Sequence, residues 1–213
     1  MTTVAGPNGR RRTYAPRVPA AQRRTELLDA ALHLVVSAGH NAVTMDAVAE
    51  RVGVSKPVVY GVFANRAELL DALLRREQEA ALHQLAAVLP GRLDDRPGAE
   101  PGAQLAGVLD GFLQAVLAAP DRWRCIVVPM PDMPVAFHAA RQQARSGLLR
   151  RAEDVAAAYL GRVGAPAELA PDIVAHTVVT LFEMAARLVL DEPESYRPDR
   201  FAAAIRAAAG LAR

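Results

Sequence analysis

The chain has 213 residues, of which 52% are apolar and 23% charged, with a net charge of +2 and one cysteine, Cys125. That balance is enough to bury a core and excludes a wholly disordered chain. A lone cysteine excludes an intramolecular disulfide and a cysteine-rich zinc site, which fits a reducing cytoplasm. Ala, Leu, Val and Arg dominate, aromatic residues make up only 5%, and no stretch alternates with period two, so the expected fold is all-α.

The charge is uneven. Up to Arg76 there are eleven basic and six acidic residues, net +5, and the remainder carries −3. A basic first third suggests an acidic polymer as partner, either nucleic acid or an anionic membrane surface.

Residues 1–20 are rich in Gly, Pro, Thr and Arg without apolar periodicity, and read as a flexible basic arm. Arg10, Arg11 and Arg12 are followed by polar and proline-rich sequence, so the arm is no secretory signal. From Arg23, Leu27, Leu28, Ala31, Leu34, Val35 and Ala38 form an i, i+3, i+4, i+7 stripe that Gly39 ends. Thr44 is a good N-cap for a short second helix carrying Met45, Val48, Ala49 and Val52, stopped by Gly53 in a C′-like position. Ser55 caps again two residues later, so a third helix follows a tight turn, the pattern of a helix-turn-helix. In it Val59, Val62 and Phe63 share one face, Gly61 falls mid-helix, and Lys56, Pro57, Tyr60 and Gly61 look elsewhere. Asn65 and Glu68 form a capping box for a long fourth helix running to Val88. Pro90 to Gly102 is an obvious loop.

Five further helices are expected at about Ala103–Ala119, Asp121–Val128, Val135–Leu160, Asp172–Leu190 and Asp199–Leu211, divided by prolines. Pro129, Pro131 and Pro134 suggest a kinked, loosely packed break. The longest apolar stretch, Ile173 to Phe182, is interrupted by His176, Thr177 and Thr180 and falls short of the ~20 residues of a membrane span, so no membrane helix is expected. His33, His40, His83, His138 and His176 show no metal-site spacing, and no phosphate loop, nucleophile elbow or zinc-protease motif occurs. Neither a metal, a cofactor nor an enzymatic activity is expected.

The stretch from Thr44 to Leu70, TMDAVAERVGVSKPVVYGVFANRAELL, preceded by Arg24, Ala30-Ala31 and Gly39, resembles the DNA-binding segment of the TetR (tetracycline repressor) family. The resemblance runs from Arg23 to Leu70; beyond it the chain agrees only in length and helical pattern. It implies a homodimeric repressor of about nine helices, with residues 21–81 as the DNA-binding domain and its connecting helix, the helix-turn-helix at 44–63, and residues 82–213 as an effector-binding and dimerisation body. Val35 stands where the family commonly has Phe, Pro57 where Gly is commoner, and Gly61 and Val62 where polar or aromatic residues are frequent.

The resemblance also implies that Thr44, Tyr60 and Arg66 contact the DNA backbone. Ser55, Lys56, Pro57, Val58 and Gly61 complete the expected interface: Lys56 can donate to guanine O6 and N7, Pro57 and Val58 can meet thymine methyls, and Gly61 allows close approach. Arg10 to Arg12 and Arg17 are candidates for further phosphate or minor-groove contacts. In the body, Phe112, Trp123, Cys125, Met130, Met133, Phe137, His138 and Arg141 gather in sequence around the proline break as a candidate pocket for a small, largely apolar effector. Val178, Phe182, Ala185 and Val189, with Phe201 and Ile205, are the expected dimer surface, because the helix from Asp172 is apolar almost all round.

The function expected is a cytoplasmic, ligand-responsive repressor that binds a pseudo-palindromic operator on double-stranded DNA. Two rivals remain. A helical small-molecule-binding protein without DNA-binding activity has no need of Thr44, Lys56 and Tyr60, and a peripheral membrane protein needs an amphipathic basic helix that Pro7, Gly9, Pro16 and Pro19 deny the arm.

Overall fold

The structure is a computed structural model and describes residues 18–88 and 101–211. The basic arm to Arg17 and nearly all of the Pro90–Gly102 loop lie outside the described residues. Among those described there are nine α-helices and no strand: α1 Ala20–Ala38, α2 Met45–Val52, α3 Lys56–Tyr60, α4 Arg66–Val88, α5 Pro101–Ala118, α6 Pro120–Val127, α7 Val135–Val163, α8 Pro171–Asp191 and α9 Pro198–Leu211. A 3-10 turn, His40–Ala42, joins α1 to α2.

The helix ends obey the local signals. Thr44 accepts from the Ala47 N–H at 3.0 Å, and Gly53 adopts the left-handed conformation, φ 73°, that a side chain would resist. At the head of α4 the Asn65 side chain accepts from the Glu68 N–H at 2.9 Å, and the Glu68 carboxylate reaches back to the Ala64 N–H at 2.8 Å. The capping box is therefore present, with its return bond one residue earlier than the usual pattern. Two ends differ from expectation. Ser55 occupies the N-cap position of α3 but its hydroxyl makes no capping bond, and α3 stops at Tyr60, so Gly61 is a C-cap with φ −70° and not a mid-helix residue.

Two cores divide the molecule. The first holds Leu27, Ala31, Val35, Val48, Val59, Phe63, Leu69 and Leu73 from α1 to α4. Each such fully buried Leu, Val or Phe contributes about 1.5–3 kcal/mol relative to exposure. The second holds Leu109, Leu113, Val116, Trp123, Ala185 and Val189 from α5, α6 and α8, with Phe201 and Ile205 of α9 packed against it. Helix α4 runs through both, contributing Leu69 to Leu74 to the first and Ala81 to the second.

The first core does not end with α4. Cys125 of α6 and Phe137 of α7 are buried in it, and Met130 and Met133 pack against it from the α6–α7 loop. The proline-rich break is thus a packed contact, not the loose region its prolines suggest. Proline prevents a continuous helix, but the freed backbone can still be held by its neighbours' side chains.

Helix α8 is long and apolar enough to cross a membrane, with a mean hydropathy of 1.7 over an 18-residue window, which corrects the shorter stretch read from sequence. Its inner face carries Ala175, Val179, Ala185, Ala186, Val189 and Leu190 into the fold. Glu183 on the same helix forms a two-pronged ion pair with Arg145 of α7 at 2.7 and 3.1 Å. A core helix passes the same length-and-hydropathy test as a membrane span.

Candidate nucleic-acid interface and its junction with the body

Burial of Val59 and Phe63, at 0% and 1% exposure, locks α3 against α1 and α2 and turns the rest of α3 outward. The Arg24 guanidinium lies 4.5 Å from the centre of the Phe63 ring and seals that edge. Ser55, Lys56, Pro57, Val58, Tyr60 and Gly61 are then all exposed on one short helix and its cap. Val58 is 39% and Tyr60 46% exposed, apolar surface that the fold itself leaves uncovered.

Beside it stands the N-terminus of α2. The first N–H groups of a helix lack intrahelical partners and carry partial positive charge, which suits a phosphate. The Thr44 oxygen accepts from Ala47, and a hydroxyl that accepts can still donate its own proton outward. Lys56 reaches across from α3 to Asp46 of α2, Nζ to carboxylate 2.9 Å. That hydrogen bond, and then the charge of Asp46, hold the ammonium's pKa above its ordinary value. Lys56 is therefore charged, exposed and already tethered on the α2 side.

Arg66 differs from expectation. Its Nε donates to the Val43 carbonyl at 2.7 Å and its Nη2 to the His40 carbonyl at 2.6 Å. The guanidinium braces the α1–α2 corner against the head of α4. A family position read from sequence as a backbone contact is here a strut, because a planar fork can span two carbonyls at once.

The same corner is held from the other side by the body. Asp132, in the α6–α7 loop, accepts from the Asn41 N–H at 2.7 Å. That bond keeps the carboxyl below its ordinary pKa, with the nearby His40 adding to the effect. Gly39 has φ 83°, and a side chain there would put its first carbon 2.7 Å from the Asp132 carboxylate. His40 is fully buried, edge-on to Phe137 at 4.7 Å, with Nδ1 3.6 Å from Asp132. Burial lowers its pKa more than Asp132 raises it, so the ring is held neutral.

A second junction lies between α4 and α6. Glu77, 1% exposed, pairs with Arg76 at 2.6 Å and with Arg122 of α6 at 2.9 Å. Arg76 continues to Asp29 of α1 at 2.7 Å, while Arg122 and the Trp123 indole both donate to Gln84, each at 3.1 Å. Sequence reading passed over Asp46, Asn41, Glu77 and Asp132. No spacing rule joins residues that meet only after folding, although an isolated acid among three prolines was a visible oddity.

The eight candidate pocket residues are not brought together. Phe112 and Trp123 meet edge-on at 5.2 Å in the second core. Cys125 and Phe137, with Met130 and Met133, belong to the first. His138 is exposed, and Arg141 donates to the Val127 carbonyl at 2.9 Å, closing the end of α6. Burial pushes the Cys125 thiol up to about 12, with the charge of Glu77 adding to it. A surface cleft of about 350 Å³ lies instead between α1, α4 and the start of α6, lined by Asp29, Leu32, Arg76, Glu77, Asp121 and Arg122 among others.

The expected dimer residues are likewise turned inward. Ala185 and Val189 are 0% and 1% exposed, Phe182 stacks on Phe112 at 5.4 Å, and Phe201 and Ile205 pack on the second core. Val178 is half-buried. On the opposite side of α8, Ile173, Thr177, Thr180 and Met184 are exposed at helical spacing, with Ile173 at 62% and Met184 at 40%.

Residues 27–73 match the family described as bacterial regulatory proteins, tetR family. Over 80 residues the chain is 39% identical to the HTH-type transcriptional activator FasR of Mycolicibacterium smegmatis, covering 38% of this chain and 36% of that protein. The chain thus matches only about a third of that curated relative's length. A TetR-like transcriptional regulator from Rhodococcus sp. RHA1 superposes with a TM-score of 0.69 at 26% identity, over 92% of this chain and 99% of that one. AibR, solved with isovaleryl coenzyme A and operator DNA, shares the fold with a TM-score of 0.65 at 15% identity, over 89% and 97% of the two chains.

Proposed function

We infer, for a chain that belongs to the TetR family of bacterial regulators, a ligand-responsive, sequence-specific DNA-binding protein that controls transcription from a pseudo-palindromic operator. The observation that carries this reading is the exposed face formed by Lys56, Pro57, Val58 and Tyr60 of α3 beside the capped N-terminus of α2. It offers one cation, a short apolar strip and phosphate-binding amides on a surface the fold leaves open. In the major groove the strip meets thymine methyls while Lys56 and Thr44 take base edges and phosphate.

A pseudo-palindrome requires two such faces about 34 to 36 Å apart, and hence two copies of the chain. The outer side of α8, Ile173, Thr177, Thr180 and Met184, is the better candidate surface for that homodimer, since it is exposed where Ala185 and Val189 are spent within one subunit. Met184→Glu is expected to give a monomer in sedimentation and to abolish binding to a two-half-site fragment. A dimer that still binds refutes this surface.

In the cytoplasm, effector binding in the body changes the separation of the two faces, so both half-sites can no longer be met together. The body is tied to the DNA-binding helices at two junctions, which supports a direct mechanical route. The effector is read as small and largely apolar. Acyl-coenzyme A thioesters, in which only the acyl end is apolar and the coenzyme is a polyanion, are the first probes, because AibR was solved with one, and the free acids test the apolar part alone. Repression is the simpler outcome, since a dimer on a promoter excludes polymerase; the relative FasR is named an activator, so activation is the alternative sign.

Selection of genomic fragments on the purified protein, followed by mobility shift with and without an acyl-coenzyme A series, tests the whole reading. A retained palindrome released by one thioester supports it. Failure to retain any fragment favours a helical ligand-binding protein without DNA-binding activity.

A further inference from the structure

We propose that Asp132, in the loop between α6 and α7, is a positioning residue for DNA binding: by holding the Asn41 amide it sets the placement of Thr44 and the N-terminus of α2 on the duplex. The proposal rests on the reading of the α2–α3 face as a DNA-binding surface and adds to it a residue from outside that face.

Three observations carry it. First, the contact is direct and built on both sides. The Asp132 carboxylate accepts from Asn41 at 2.7 Å, and the backbone can come so close only because residue 39 is a glycine with φ 83°. Second, the segment between Asn41 and Thr44 is stiff. Ala42 donates to the Gly39 carbonyl at 3.3 Å, Val43 to His40 at 3.1 Å and Thr44 to Ala42 at 3.0 Å. The Arg66 fork clamps the His40 and Val43 carbonyls, and Val43 is fully buried. A displacement of the Asn41 amide is therefore handed on to Thr44 and not absorbed by a flexible link. Third, Asp132 is itself anchored. Met130 and Met133 on either side pack against the first core, and Phe137 is buried in it against His40.

This geometry makes the α6–α7 loop part of the DNA-binding surface at one remove. Asp132 does not touch DNA. A ligand that shifts α6 or α7 pulls on Asn41 and so tilts the α2 N-terminus, whatever happens along α4.

The test uses the full chain and an operator fragment recovered from genomic DNA with the wild-type protein. Asp132→Ala is expected to weaken operator binding about tenfold or more, as losing a charge-assisted hydrogen bond does. Asp132→Asn keeps an oxygen for the Asn41 N–H and is expected to stay within about threefold of wild type. The discriminating measurement is a double-mutant cycle with Thr44→Ala. If Asp132 acts through Thr44 and the α2 N-terminus, the double variant binds clearly better than the product of the two single losses, whereas a general loss of stability multiplies the two effects.

Should Asp132→Ala fail to fold, Asp132→Leu fills the same space without an acceptor and carries the same expectation. Binding of the alanine or leucine variant at wild-type strength overturns the proposal, as do multiplied losses in the cycle or an asparagine variant as weak as alanine. A wild-type protein that retains no fragment overturns the DNA-binding reading itself, a result distinct from all of these.

Discussion

Arg66→Ala separates two roles for one residue. From sequence its side chain is a phosphate contact; in the structure it donates to the carbonyls of Val43 and His40 at 2.7 and 2.6 Å. Hydrogen bonds involving a charged group contribute about 1.5–3 kcal/mol each, and a half-buried site where water can replace the donor sits at the low end. Losing both bonds should cost about 2–4 kcal/mol, which in a chain of this size lowers the melting temperature by about 4–16 °C. Arg66→Lys, a point charge able to reach one carbonyl at a time, should recover roughly half. Thermal melting followed by circular dichroism measures this, alongside operator binding across a salt series. A strut predicts the lowered melting temperature with little change in salt slope. An unchanged melting temperature, with the slope reduced by about 1.8 for two lost phosphate contacts, one in each half-site, refutes the structural argument and restores the sequence-based role.

Three further outcomes are expected. Gly61 has φ −70°, and a methyl group there would meet only the Pro57 and Val58 carbonyl oxygens at 3.4 Å. Gly61→Ala should therefore fold at least as stably as wild type, gaining about 0.4–1 kcal/mol from a less flexible unfolded chain, while binding operator more weakly; full affinity leaves the glycine without a role. Cys125, buried and with its thiol pushed up to about 12, should resist iodoacetamide at pH 8 in the folded protein and react in denaturant. Rapid labelling under native conditions contradicts the packing of α6 on the first core. His40, whose pKa is lowered by burial, is neutral in both folded and unfolded chains above about pH 6.5. Below that the unfolded chain takes up a proton the folded one resists, so stability falls as the pH is lowered through that value. Melting curves of wild type and His40→Phe should diverge over that window, and parallel curves exclude a contribution from His40.

Much of this protein follows from local rules acting on neighbouring residues. Apolar spacing, with Thr44, Gly53, Asn65 and the prolines as punctuation, placed nearly every helix within a few residues, because hydrogen bonding and capping are satisfied inside each element. The exposed set on α3 was equally legible, since burying Val59 and Phe63 obliges Lys56, Pro57 and Tyr60 to face outward. Where the helices go was decided otherwise. Helix α8 is apolar almost all round, and nothing along it says that Ala185 and Val189 enter the subunit's own core while Ile173 and Met184 stay outside. Phe112 and Phe137, close in the sequence around one break, belong to different cores because α6 leaves α5 at a sharp bend. The contacts that join α6 and the α6–α7 loop to the first four helices, Asp132 with Asn41 and Glu77 with Arg122, link residues 91 and 45 positions apart. Such pairs are selected by the packing of whole helices, and only the assembled tertiary structure brings their charges within reach.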